Sequence, residues 1–483
     1  MIQPAAAFTP SRLHQELVSM IAAGIQKARE AKEPVLVSYV SPFPDVGPET
    51  MAKALDFIEA DTHFWAEPNG ARAMLGIGEA RRFEAAGEDR FAVLEAEWSQ
   101  FVARALVYQP EPASLSQPTG PVLLGGFTFD PLAAKGPAWQ GFPDGLLRLP
   151  QLMLTATQEK AWLTFNAVVD AHSDPEAHAA LLQDAARAFE EALVRADLEQ
   201  GVSEGVPGAV VVEGGEPAAW KAAVKDATQI IRAGALPKVV LARSVRVRLP
   251  QRVAYGRVVQ ALLSAYPECY GFAVRLGQRV FLGATPERLV ALQDRRVWTM
   301  SLAGSIARGK DPEEDRILGQ TLLSDPKNLW EHQIVVDFIR DALSDACRHL
   351  EVAERPTLLK MQNVQHLWTP VEGELASSRS VLDLVRRLPP TPAVGGYPKD
   401  EALALIRRIE GLDRGWYAGP VGWVDRRGDG EFAVALRSAL VSGDKALLFA
   451  GCGIVGDSDP DAEFEESSIK LKPMLYALER SLK

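Results

Sequence analysis

The sequence predicts an α+β fold built on large, mostly antiparallel sheets. Three observations predict it. β-type runs such as VVLARSVRVRL, YGFAVRL, RVFLGA, RLVAL, EFAVALRSALVSG and ALLFAGCGIV crowd the C-terminal half. Short polar turns such as GQ, QDRR and RRGDG join several of them, the mark of antiparallel hairpins. Long helical segments lie between these runs without a regular strand–helix alternation, which argues against a βαβ array.

Along the chain, SRLHQELVSMIAAGIQKARE (11–30) has a helical pattern, and PVLVSYV and PVLLGGFTFD read as strands. The Ala-rich stretch EAHAALLQDAARAFEEALVRA (176–196) is a helix by propensity. Glycines and prolines punctuate EQGVSEGVPGAVVVEGGEP (199–217), which predicts a linker between an N-terminal half, 1–205, and a C-terminal half, 206–483. Two further helices open alike, after Ser324-Asp325-Pro326 and Ser458-Asp459-Pro460. Asp is a good N-cap, and Pro suits the first helical position because its missing N–H is not needed there.

Composition excludes several classes. With 483 residues, 47% of them hydrophobic, the chain can bury a large core, and its 24% of charged residues is not a disordered composition. The net charge is −11 and no long Lys/Arg run occurs, so neither nucleic acid nor an anionic membrane is an expected partner. Cys269, Cys347 and Cys452 are scattered, with no CxxC spacing, as expected of reduced thiols in a cytoplasmic protein. The N-terminus has no basic segment followed by an apolar run, so no signal peptide is expected. No stretch of about 20 uncharged apolar residues occurs, so no membrane span is expected either.

The chemistry-bearing residues fall in six short segments. In the last helix, Glu463, Glu466 and Lys470 stand at i, i+3 and i+7 and share a face, apart from the apolar stripe of Phe464, Leu471, Leu475 and Leu478. Spacing alone allows a plain solvated face with a Glu466–Lys470 pair. In the helix PKNLWEHQIVVDFIRDAL, Asn328 and Glu331 repeat the i, i+3 spacing, and Glu331 sits at the edge of an apolar stripe. A carboxylate there needs a partner, and a metal is one option. Without a His/Cys cluster of zinc spacing, oxygen-only ligands favour Mg²⁺. Lys238 enters an apolar strand just after Pro237, and a partly desolvated lysine can act as a base. Glu287 follows Thr285-Pro286 between two β runs, where a carboxyl kept protonated by apolar surroundings can act as an acid. Each of these two also reads as a solvated strand end or turn. Arg437 and the glycines Gly451 and Gly453, between a strand and a helix, are anion-binding candidates.

Taken in order, KVVLAR, FLGATPERL, LAGSIARG, NLWEHQIVVD, NVQHL, PTPAVGG, RGWYAGPVGWVD, FAVALRSA, AGCGIV and EFEESSIKL resemble the chorismate-utilising enzymes, and most of all the isochorismate synthases. The resemblance covers most of 220–480; before it, FWAEPNG, AMLGIGEA and LLGGFTFDP carry a thinner likeness. It implies two large, mostly antiparallel sheets facing each other, helices outside and the active site in the cleft. It implies Lys238 as the base that activates water for attack at ring C2, and Glu287 as the acid that protonates the departing C4 hydroxyl. Glu331 and Glu466 would hold Mg²⁺, with Glu463 and Asn328 in support. Arg437 and Tyr417 would grip the enolpyruvyl carboxylate. Lys470, Gly304, Ser305, Gly419, Gly451 and Gly453 would line the substrate, chorismate, with His366 near the ring.

Two positions discriminate within the family. Ammonia-adding members, similar to the anthranilate synthase large subunit, usually carry Gln where Lys238 stands. Aminodeoxychorismate synthases use a lysine in a PIKGT-like motif, where this chain reads SLAGS with Ala303. Salicylate synthases share both choices and go on to eliminate pyruvate. Relatives with His-Pro-Thr-Pro before AVGG have a titratable side chain where this chain has Pro389, which favours stopping at isochorismate. A non-catalytic chorismate-binding subunit is expected to lose an acid, base or metal ligand, and none is lost here. No obligatory glutaminase partner is implied, and both a monomer and a homodimer are compatible with the sequence.

Overall fold

The computed structural model describes residues 10–109, 117–199, 210–213 and 217–482. Among them, thirteen strands form one sheet and ten form a second. Pairing is antiparallel throughout except where Val35–Phe43 meets Leu106–Tyr108. The longer sheet runs from Val211–Glu213 through Lys238–Arg248, Lys445–Ile454, Ser438–Ser442, Arg279–Thr285 and Tyr270–Leu276 into strands of the N-terminal half. The shorter sheet likewise joins Pro420–Asp425 to Val122–Phe127. The two halves of the sequence thus interleave in both sheets. Of the expected linker, 200–209 and 214–216 lie outside the described residues, and Val211–Glu213 pairs with Arg246–Arg248 at the sheet edge.

Strand periodicity decides which core each side chain joins. Trp65 and Met74 face one apolar core with Phe83, Leu124, Phe127 and Phe432 of the shorter sheet. Their neighbours Phe64 and Leu75 face the opposite way, into a second core. That core is closed by the helices Pro10–Ala31, Pro175–Leu198, Tyr255–Ala265 and Pro460–Arg480, through Leu17, Ile21, Phe189, Val259 and Leu471. The longer sheet is therefore covered on both faces, by the shorter sheet on one and by helices on the other.

One run was expected as a single strand and is two. EFAVALRSALVSG splits into Gly430–Val434 in the shorter sheet and Ser438–Ser442 in the longer one. The chain changes sheets at Arg437, whose φ is +48°. A second crossing occurs between Arg279–Thr285 and Arg288–Gln293, with Glu287 at its centre. The crossings brace each other: Val434 N–H donates to Glu287 O at 3.0 Å and Ala284 N–H to Arg437 O at 3.3 Å. Both helices expected after Asp-Pro form, as Pro326–Leu343 and Pro460–Arg480, each capped by its aspartate side chain. No described helix is long and apolar enough to cross a membrane. The three cysteines are free and buried.

Candidate active site

The sheet crossings, the start of strand Lys238–Arg248 and the two Asp-Pro helices converge on a cavity of about 220 Å³. Glu287, Gly304, Ser305, Asn328, Glu331, His366, Tyr417, Arg437, Gly451, Gly453, Glu463, Glu466 and Lys470 all line it, and Lys238 stands behind this lining, paired with Glu331. Residues from Val240 to Lys470 are thus brought to one place. Gly419 stands apart. It packs against backbone, where an added Cβ would lie 2.2 Å from Phe127 O, and it does not line the cavity. Its small size serves sheet packing rather than a ligand.

Lys238 is fully buried, and its Nζ lies 2.7 Å from Glu331 Oε1. The approach satisfies ion-pair distance but not hydrogen-bond geometry, so Nζ is left without a hydrogen-bond partner. Gly453 makes the pair possible: a Cβ there would meet Glu331 Oε1 at 2.8 Å and Lys238 Cε at 3.2 Å. Glu287 is buried at its crossing, and burial pushes its carboxyl up to about 8 against the pull of Lys238 and Arg437. At neutral pH it is a protonated acid facing the cavity.

The opposite wall is cationic. Lys470 Nζ lies 2.6 Å from Glu466 Oε1 and donates to Gly451 O at 3.0 Å. Burial opposes ionisation of Glu466, but the Lys470 charge and hydrogen bond outweigh it, with Arg437 and His366 adding, and hold the carboxylate below its usual range. The 43% exposure of its side chain is to the cavity, which admits water while protein surrounds it. The Arg437 guanidinium has no carboxylate or hydrogen-bond partner among the described residues. Burial alone lowers its pKa. Such a cation, left unpaired beside a cavity, awaits an anion. Tyr417 stacks on Phe449 at 5.1 Å, and burial pushes its phenol up to about 12, so it stays a donor. Gly451 is held to glycine chiefly by Leu241 O, which a Cβ there would meet at 2.9 Å, with Tyr417 Oη at 3.2 Å.

On the third side, the strand Arg296–Ala307 bulges between Ala303 and Ser305, with Gly304 at φ +79°. The bulge brings Ser305 Oγ to 2.9 Å from His366 Nδ1. Burial pushes the His366 imidazole down to about 3, with Arg437 and Lys470 adding, so the ring is neutral. Its buried Nε2 has no protein partner.

The expected metal ligands divide. Glu463 and Glu466 come together with Cys452, one ligand atom from each lying within 4.8 Å of the others. Glu331 is outside that group because the buried Lys238 takes it as counter-ion. Burial, helped by the Glu466 charge, pushes Glu463 up to about 7, and its Oε2 is buried without a partner. Two adjacent carboxyls with an orphaned oxygen fit a hard divalent cation. Cys452 does not: burial keeps its thiol far above the usual range, and Sγ donates to Glu463 O.

Sequence reasoning gave no role to Arg414. It lines the cavity, pairs with Glu410 at 2.7 Å, and donates to Val240 O and Val394 O. Arg414 thereby ties the strand that starts at Lys238 to the loop that contains Ala393 and Val394. The i, i+4 spacing of Glu410 and Arg414 was visible in sequence. That it straddles the end of helix Lys399–Ile409 and is buried was not.

Comparison with known proteins matches 23–479 to the family described as chorismate binding enzyme. The chain belongs to the chorismate-binding enzymes. Within this family it is 38% identical over 458 residues to the isochorismate synthase MenF of Bacillus subtilis (strain 168), covering 94% of this chain and 96% of that protein. It is 38% identical over 454 residues to the salicylate biosynthesis isochorismate synthase of Pseudomonas aeruginosa, covering 94% and 92%. The solved structure of MenF, the menaquinone-specific isochorismate synthase of Escherichia coli, superposes with a TM-score of 0.75 at 26% identity, over 95% of this chain and all of that one. Anthranilate synthase component I of Streptococcus pneumoniae, at 21% identity and a TM-score of 0.61, shares the chorismate-binding fold.

Proposed function

We propose that this chain is an isochorismate synthase, which adds water at C2 of chorismate and releases the C4 hydroxyl as water. The observation that carries the reading is a cavity lined by a buried carboxyl, Glu287, that is protonated at neutral pH, and by Glu331, which pairs at 2.7 Å with the buried Lys238 behind it. Full-length likeness to proteins named isochorismate synthase supports it.

In this reading Lys238 takes a proton from the attacking water as its oxygen bonds to C2. Both ring double bonds shift, the C4–O bond breaks, and Glu287 gives its proton to the leaving hydroxyl. Substrate and product are isomers, since one water enters and one leaves. Arg437 and Lys470, the latter already hydrogen-bonded to Gly451 O, face the substrate's carboxylates, and Tyr417 donates beside them. Most of the rate is then positioning. Glu463 and Glu466, with Glu331 near, would hold Mg²⁺, which offsets the charge of a bound carboxylate. Water as the nucleophile removes the need for a glutaminase subunit.

The test is incubation of purified protein with chorismate and Mg²⁺, with and without ammonia, followed by product identification. Isochorismate under both conditions supports the reading. Salicylate with pyruvate, or anthranilate, as sole product overturns it.

A further inference from the structure

A second cavity, of about 340 Å³, lies on another part of the molecule. Its lining shares no residue with the catalytic cavity. Arg90, at the start of helix Arg90–Val102, and Lys399, at the start of helix Lys399–Ile409, both contribute to it. Arg90 is 5% exposed. Its guanidinium donates to Gly87 O and Thr128 O, and its Nε is buried without a partner. Lys399 donates to Pro389 O at 2.8 Å. Neither cation has a carboxylate within ion-pair distance among the described residues. Burial pushes both below their ordinary values, and Arg90 adds its repulsion at Lys399.

The acids nearby have other partners or stand at the rim: Asp144, which pulls most on Arg90, is paired with Lys135 at 2.6 Å. Asp130 is taken by Arg407 in a two-point contact at 2.6 and 2.8 Å. Arg386 is taken by Asp383. Glu88 and Asp400 line the cavity but are exposed, so they act from its rim. The remaining wall is apolar and partly aromatic, made by Phe91, Phe129, Pro390 and Leu403. Two unpaired, partly desolvated cations beside aromatic faces suit an anion with an apolar body. The rim acids disfavour a dianion such as phosphate.

We propose that this cavity is a second ligand site, which takes a small monocarboxylate carried on an aromatic ring, its carboxylate between Arg90 and Lys399. The site is connected to catalysis by the chain itself. Pro389 and Pro390 line the second cavity, and Ala393 and Val394, a few residues on, line the first. Lys399, through Pro389 O, holds the start of that segment.

Benzoate is the probe, titrated by calorimetry into the wild-type protein, Lys399→Gln, Arg90→Lys and Arg437→Gln. The Lys399 variant is checked for folding by circular dichroism and thermal unfolding. The site predicts saturable binding that weakens about tenfold or more when Lys399 loses its charge, the loss expected of one charge-assisted contact. Arg90→Lys, which keeps the charge but not the planar fork, weakens it less. Arg437→Gln leaves it unchanged. Binding kept in Lys399→Gln and lost in Arg437→Gln overturns the proposal, because benzoate then occupies the catalytic cavity. The absence of saturable binding, or equal affinity for inorganic phosphate, overturns it as well.

Discussion

At the scale of single residues, the two buried groups proposed to carry the chemistry can be tested separately. Lys238→Ala and Glu287→Gln each remove one proton-transfer group, and each is expected to lower turnover by about 10²–10⁴-fold, measured by steady-state kinetics on folded protein. The pH dependence follows from Glu287. Its carboxyl sits near 8 in the fold against an ordinary 4.5, so the required protonated form is present below about pH 8 and lost above it. kcat/KM of the wild type therefore falls on the alkaline side around pH 8. The same shift makes the fold hold this proton more tightly than the unfolded chain does. Its contribution to stability is complete below pH 4.5 and is lost as pH rises toward 8. Chemical denaturation of Glu287→Gln across that window should show a flatter profile. Gly453→Ala drives a methyl to within 2.8 Å of Glu331 Oε1, which must displace the Lys238–Glu331 pair. Its cost in kcat/KM is on the order of 10²-fold, the scale of an ångström of misplacement.

At the scale of elements, much of the fold was legible in the sequence. The Asp-Pro openings fixed the two helices that carry Asn328, Glu331, Glu463, Glu466 and Lys470, because a cap and a first-position proline act locally. The sheet change at Arg437 was not legible. The apolar run EFAVALRSAL continues unbroken through it, and only packing between the two sheets forces the positive φ. For the same reason Gly419 read as a cavity glycine when it is a packing glycine. The pairing of Glu331 with Lys238 was hidden too, since it depends on a side-chain gap opposite, at Gly453 on another strand. The Arg414–Glu410 pair belongs to this scale: side chains 3% and 2% exposed brace a strand, a loop and a helix end. Arg414→Met leaves Glu410 as an uncompensated buried charge. It is expected to destabilise the protein by about 3–5 kcal/mol in denaturant titration.

At the scale of the whole molecule, both sheets are continuous across the two halves of the sequence. Tyr270–Leu276 pairs with Thr62–Ala66, and Pro420–Asp425 with Val122–Phe127. A fragment spanning 206–483, though it holds every proposed catalytic group, would expose both of those edges. It is expected to show no cooperative unfolding transition, and recovery of activity from that fragment alone would contradict the interleaved architecture. Against a net charge of −11, the cavity keeps one buried guanidinium, Arg437, without a carboxylate partner among the described residues. The central claim is that this cavity adds water to chorismate, and product identification tests it most directly. Purified protein with chorismate, Mg²⁺ and excess ammonia is predicted to give isochorismate alone; anthranilate, or salicylate with stoichiometric pyruvate, would contradict it.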